Sequence, residues 1–144
     1  MIAVDTNVLL RRLLHDDAAQ AEKAQRLFEA NESVLITDVV LAETVWTLTG
    51  RRYGANREEI AAVVLALLEE HNVVFESRQA VWSALNDYVD ALPVRTASGM
   101  KFADLADALV VNKAKVTARQ RNEPYRGTFT YDRAALALDG TKTP

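Results

Sequence analysis

Four short apolar or β-branched runs, at residues 2–4, Val34–Ile36, Val73–Phe75 and 128–131, each break off at a polar or acidic residue. Asp5-Thr6-Asn7 follows the first, Thr37-Asp38 the second, Glu76-Ser77 the third and Asp132 the fourth. Runs without polar alternation are expected of strands covered on both faces. Longer stretches of helical period separate them, and that alternation predicts an α/β fold with a mainly parallel sheet.

The expected helices follow from their apolar stripes. Leu9, Leu10, Leu13 and Leu14 oppose Arg11 and Arg12, so a helix begins just after the first strand. Asp16 and Asp17 open a second helix to about residue 31, with Ala24, Leu27 and Phe28 inward. Asp38 is placed to cap a third, which runs to about Thr49 before Gly50 and Gly54. Asn56 and Glu59 form a capping pair for a fourth; its stripe of Ile60, Val63, Val64, Leu67 and Leu68 is continued by His71. Val81, Leu85, Tyr88 and Leu92 mark a fifth, stopped by Pro93. Residues 93–100 read as a loop, residues 102–119 as a sixth helix and residues 119–127 as a polar return to the last strand. Trp46, Trp82 and Phe102 stand at helical spacing with aliphatics and read as core.

Of the 144 residues, 49% are hydrophobic and 26% charged, enough for one globular domain spanning residues 1–144, with no repeat, linker or low-complexity segment. The chain has no cysteine, which excludes a disulfide scaffold and thiolate zinc. Its apolar runs are too short to cross a bilayer. The N-terminus does not have the pattern of a signal peptide, so a cytoplasmic protein is expected.

Chemistry is concentrated in acids at unexpected places. Asp5 and Asp132 follow strands directly, at the carboxyl ends where open α/β sheets build their sites. Glu43 has Val39, Val40 and Trp46 as helical neighbours; Asp107 has Ala103, Val110 and Val111, with Asp104 three residues before it. Isolated carboxylates among apolar groups are costly and adjacent ones repel, and a bound cation relieves both penalties. Plainer roles exist for several: Asp5 or Thr6 as a helix cap, Asp38 as a cap, Asp104 as a first-turn acid and Asp132 as a turn residue. Glu43 and Asp107 read as mid-helix acids, to which neither caps nor dipoles apply. All-oxygen ligands select Mg²⁺ or Mn²⁺. No phosphate-binding glycine loop, nucleophile elbow or dinucleotide fingerprint is present.

The segments Val4-Asp5-Thr6-Asn7-Val8-Leu9, Leu41-Ala42-Glu43-Thr44-Val45, Phe102 to Val110 with Asp104 and Asp107, and Thr128-Phe129-Thr130-Tyr131-Asp132 resemble, in order and spacing, the four acidic signatures of PIN-domain ribonucleases. The nearest likeness is to VapC-type toxins of toxin–antitoxin pairs. The resemblance implies a three-layer α/β/α domain with a central, mainly parallel sheet of four or five strands. It implies Asp5, Glu43, Asp107 and Asp132 as metal-binding catalytic acids, Asp104 as a fifth, and Thr6, Asn7 and Thr130 as site-shaping residues. Tyr131 departs from the family, which often has Arg or Asn between the last Thr and Asp. The implied activity is Mg²⁺-dependent (or Mn²⁺-dependent) hydrolysis of RNA phosphodiester bonds, and the implied partners are an antitoxin and a second copy of the chain.

Lys and Arg number 17 against 20 Asp and Glu, a formal net charge of −3 that by itself disfavours a nucleic-acid binder. Setting aside the five candidate ligands reverses the sign. Residues 101–126 are locally basic through Lys101, Lys113, Lys115, Arg119, Arg121 and Arg126, and Arg11, Arg12, Arg51 and Arg52 are further candidates for phosphate contact. Four alternatives compete. A receiver-type phosphotransfer domain lacks its Lys after the last strand, and a haloacid-dehalogenase-like phosphatase lacks Asp-x-Asp after the first. A metal-free acidic interaction module, or a PIN nuclease outside toxin pairs, stays open.

Overall fold

The computed structural model describes residues 1–144 as two compact units, residues 1–78 and 79–144.

In the first unit, β1 (Ile2–Ala3) leads through α1 (Thr6–Leu14) and α2 (Ala18–Glu29) to β2 (Val34–Ile36). The chain then passes through α3 (Asp38–Thr49) and α4 (Arg57–Glu69) to β3 (Val73–Phe75). The strands pair in parallel in the order β1-β2-β3, with Ile2 opposite Val34 and Val34 opposite Val73. Right-handed crossovers stepping twice in one direction put their helices on one sheet face, and α1 accordingly packs on both α2 and α3. Leu9, Phe28, Val34, Ile36, Leu41 and Ile60 are buried at the centre.

Caps fix the helix starts. Asp5, Asp17 and Asn56 each accept the N–H three residues on, and α1 ends on His15 in the left-handed conformation, φ 53°. For α3 the cap is Thr37, whose Oγ1 accepts from Val40 N, so Asp38 is the first helical residue rather than the cap. His71 falls beyond α4 and is exposed, so it does not extend the stripe. The buried Asn72 lies immediately before β3, and its Nδ2 donates to Phe28 O (2.7 Å) and Asn31 O (3.1 Å), tying the end of α2 to the sheet. Asn72→Ala removes both bonds, leaving Phe28 O only the N–H of Asn31 at 3.3 Å, and is expected to cost about 1–3 kcal/mol, read as a lower urea midpoint at unchanged m-value.

The second unit contains α5 (Arg78–Asp90), the hairpin β4 (Val94–Thr96) and β5 (Gly99–Lys101), α6 (Leu105–Gln120), β6 (Thr128–Phe129), a 3₁₀ turn (Ala135–Ala137) and β7 (Thr141–Lys142). The expected loop at residues 93–100 is thus mostly an antiparallel hairpin that turns through Ala97 and Ser98, with Gly99 starting β5 at φ +108°. Buried Asn112 joins α6 to α5 by donating to Asp87 Oδ2 at 2.7 Å. Strand β6 pairs in parallel with β7, so the main hydrogen-bonded ladder has three strands rather than four or five. Tyr125 anchors this pair, its hydroxyl 2.8 Å from Thr128 Oγ1 and 3.0 Å from Gly140 O. At Gly140, φ is +93° and a Cβ would come within 3.0 Å of the Tyr125 ring, so both backbone and packing require glycine there.

The expected burial of the large aromatics does not hold. Trp46, Trp82 and Phe102 are 57%, 49% and 43% exposed, and Leu92 is 74% exposed beyond the end of α5. Their helices bury other stripes. In α3 the inward set is Leu41, Thr44, Val45 and Leu48, a regular i, i+3, i+4, i+7 series that includes a threonine.

Candidate active site

The same stripe relocates Glu43. It stands with Val39 and Trp46 on the face of α3 away from the core, so its neighbours are apolar but solvent-exposed and its carboxylate is not buried among them. Its partner comes from α1: Thr6 Oγ1 donates to Glu43 Oε2 at 2.5 Å. Asp5 lies immediately before Thr6, and its Oδ1 accepts Val8 N at 2.9 Å. The abrupt end of β1 therefore serves two purposes. It starts a helix, and it delivers Asp5, Thr6 and Glu43 to one place in the first unit.

In the second unit, α6 begins at Leu105, later than the expected residue 102, and the shift changes the meaning of two acids. Asp104 is the N-cap, its Oδ1 accepting Asp107 N at 2.8 Å, while Asp107 Oδ2 accepts Asp104 N at 3.1 Å. This is a reciprocal capping box, so Asp107 is a first-turn acid and not a mid-helix one. The box holds two carboxylates side by side. Burial first, then the negative charges of Asp104 and Asp132, push the Asp107 carboxyl up to about 6 from its ordinary 3.8, against the downward pull of the Asp104 N–H.

Asp132 is exposed, and its Oδ1 accepts Ala134 N at 2.8 Å and Ala135 N at 3.1 Å, a turn that starts the 3₁₀ segment. Thr130 Oγ1 in turn accepts Asp132 N at 3.0 Å, which gives this threonine a direct part in aiming the last acid. The turn role considered for Asp132 and the cap role considered for Asp5 are both realised.

Each of these local contacts occupies a single carboxylate oxygen. In all five carboxylates one oxygen is held by a neutral donor: Asp5 Oδ1, Glu43 Oε2, Asp104 Oδ1, Asp107 Oδ2 and Asp132 Oδ1. The other oxygen of each makes no hydrogen bond, and none of the five enters an ion pair with Lys, Arg or His. Asp5 and Glu43 in the first unit, and Asp104, Asp107 and Asp132 in the second, thus each present a carboxylate without a cationic partner, the oxygen chemistry that hard divalent ions prefer. No three His, Asp or Glu side chains stand close enough together, as arranged, to hold a metal ion.

A model of the PIN domain matches residues 2–137. The chain belongs to the PIN domain family. No curated protein sequence matches it. PIN domains are generally nucleases that use divalent metal ions, so a hydrolase acting on nucleic acid is the activity that goes with this α/β fold. No helix is long and apolar enough to cross a membrane.

The basic candidates sort clearly. Arg11 is committed to Asp16 at 2.8 Å and Arg12 to Glu70 at 2.9 Å, so neither is a free phosphate contact. Lys115 pairs with Asp139 and Arg121 with Glu123. Arg51 and Arg52, in contrast, are exposed and outside every ion pair. Sequence reasoning placed Trp46 in the core and so missed its position beside these arginines. The signal was available, since Trp46 falls off the 41-44-45-48 stripe.

Proposed function

We propose that this PIN domain is a Mg²⁺-dependent ribonuclease, with Asp5, Glu43, Asp107 and Asp132 as the metal-binding catalytic acids and Asp104 in support. One observation carries the reading: five carboxylates each keep a free oxygen and none has a basic partner. Mn²⁺ is the natural substitute ion. When bound, such an ion lowers the pKa of a water and offsets charge on the phosphate.

The chain's own contribution is orientation. The Val8 N–H holds Asp5, the Thr6 hydroxyl holds Glu43, the capping box holds Asp104 and Asp107, and two backbone N–H groups hold Asp132. Asn7, exposed on the first turn of α1, is positioned to shape the substrate approach beside Asp5.

The VapC-type signatures support the role of toxin in a VapBC-type pair, working in the cytoplasm as a homodimer held inactive by an antitoxin. The free carboxylate oxygens suit an arginine from such a partner as well as a cation. A chelator-controlled assay on single-stranded RNA tests the core of the proposal. Cleavage is expected with Mg²⁺ or Mn²⁺ and to be lost in Asp5→Asn. Cleavage unaffected by chelator, or full activity in Asp5→Asn, would overturn the metal assignment. Calorimetry separates the acidic-module alternative, which takes up no divalent ion. For the toxin role, growth arrest on expression of the wild type but not of Asp5→Asn is the expected result, and sedimentation reads the dimer.

A further inference from the structure

Beside the Asp5–Thr6–Glu43 cluster, α1, α3 and the turn after α3 enclose a groove of about 300 Å³. Asn7 and Arg11 form one wall, Trp46 and Thr47 the other, and Arg51, Arg52 and Tyr53 close the end. The groove begins next to these residues along both helices, since Asn7 follows Thr6 on α1 and Thr47 stands one turn after Glu43 on α3, its Oγ1 donating to the Glu43 carbonyl at 2.8 Å.

Its chemistry is specific. The inward stripe of α3 consists of the smaller Leu41, Thr44, Val45 and Leu48, while Trp46, the helix's one aromatic residue, is 57% exposed at the groove wall. The Arg52 guanidinium lies 5.2 Å from the centre of the Tyr53 ring, and the Tyr53 hydroxyl is 3.4 Å from Asp16 Oδ2. Arg11 is neutralised by Asp16, which leaves Arg51 and Arg52 as positive charge without a carboxylate partner. An aromatic face next to unpaired cations fits an unstacked base attached to a phosphate. A paired base in an A-form duplex is already stacked and cannot present its face. Peptides meet a poorer match: an apolar one can cover Leu10 and Leu14, which also line the groove, but leaves both arginines unpaired, a basic one is repelled by them, and an acidic one pairs with them but brings no flat ring to the Trp46 face.

We propose that this groove takes one unpaired nucleotide flanking the bond to be cut, with its base on Trp46 and its phosphate between Arg51 and Arg52. This rests on the ribonuclease reading and adds to it a preference for single-stranded RNA. Trp46, Arg51 and Arg52 are then substrate-binding groups that act on KM, separate from the acids that act on kcat.

The test uses the full chain carrying Trp82→Phe, which leaves Trp46 as the only tryptophan. In chelator, a short unstructured, dye-labelled oligoribonucleotide is titrated, with Trp46 emission followed in the parent and dye anisotropy in every protein. Quenching of Trp46 and salt-dependent binding are expected, with the affinity from anisotropy about 5- to 100-fold weaker for Trp46→Ala, and weaker with a shallower salt slope for Arg51→Ala with Arg52→Ala. The same strand in a duplex, or as an abasic phosphate backbone, should quench little. In cleavage with Mg²⁺, Trp46→Ala should raise KM and leave kcat nearly unchanged. Equal affinity of Trp46→Ala and its parent, equal quenching by the abasic strand, or a Trp46 signal that changes with protein concentration alone would each overturn the groove, the last by showing a surface between copies. Trp46-dependent binding without cleavage under any divalent ion would instead overturn the nuclease reading and leave the groove standing.

Discussion

Asp107→Asn is expected to make the metal-free protein more stable at pH 7.5 and to remove its nuclease activity. In the native state the Asp107 carboxyl is pushed up to about 6, first by burial and then by Asp104 and Asp132, whereas the unfolded chain holds it near 3.8. Between those values the native state binds more proton, so stability falls as pH rises. The favourable contribution is fully present below about 3.8, fades towards about 6 and is absent above it. Asn keeps a neutral acceptor for the Asp104 N–H and never ionises, so it removes the repulsion at pH 7.5. Asp107 is only half-buried, and solvent screening limits the gain to about 1–2 kcal/mol, or roughly 3–6 °C in Tm. At pH 4 the gain should vanish, because the native carboxyl is then largely protonated. Added Mg²⁺ should raise the Tm of the wild type at pH 7.5 and not that of Asp107→Asn. Activity should fall by at least about 10²-fold, the loss expected when a group holding a catalytic ion is removed. Scanning calorimetry at the two pH values checks the first part and a chelator-controlled assay the second. A lower Tm for Asp107→Asn at pH 7.5 would mean that the capping box needs a carboxylate more than the site is strained by one.

That combination, a capping box whose second carboxylate is crowded by other acids, shows what the sequence could and could not disclose. The strands at Val34–Ile36 and Val73–Phe75 were legible to the residue, because short β-branched runs ended by polar pairs have no other good reading. Asp5, Glu43, Asp104, Asp107 and Asp132 were legible as anomalies. Their local roles were not, since a helix start depends on which side chain wins the first free N–H. Phe102 and Asp104 are equivalent starts by periodicity, and Asp104 wins because it can accept from Asp107 N. Likewise Thr37 wins over Asp38 at α3. Trp46 was misplaced for a different reason. Size and apolarity argued for the core, but Thr44, small and fully buried, occupies the inward register that a tryptophan would overfill. The hairpin at Val94–Lys101 escaped notice because it is too short and too exposed to carry alternation.

The second large effect lies at the far end of α1 from Asp5. Arg12 is 13% exposed in its side chain; its NH1 and NH2 reach Glu70 Oε1 and Oε2, each at 2.9 Å, its Nε reaches Gln25, and its guanidinium sits 4.1 Å from the Phe28 ring centre. This bidentate pair joins α1 to the residue that follows α4. Removing one partner leaves the other charge poorly solvated, so Arg12→Met and Glu70→Leu should each cost about 2–3 kcal/mol. The double variant should cost less than the two singles together and can approach either one, because no unpaired charge remains and the methylenes still cover Phe28. Urea unfolding of the four proteins completes the cycle. The functional consequence follows from α1 itself: its N-terminal turn sets Thr6 against Glu43, so loosening its C-terminal anchor should lower kcat in Arg12→Met even under conditions where that protein is fully folded. Strict additivity would show that the pair acts as two separate contacts. Unchanged kcat in the folded variant would show that the Asp5 cap alone holds the catalytic end of the helix.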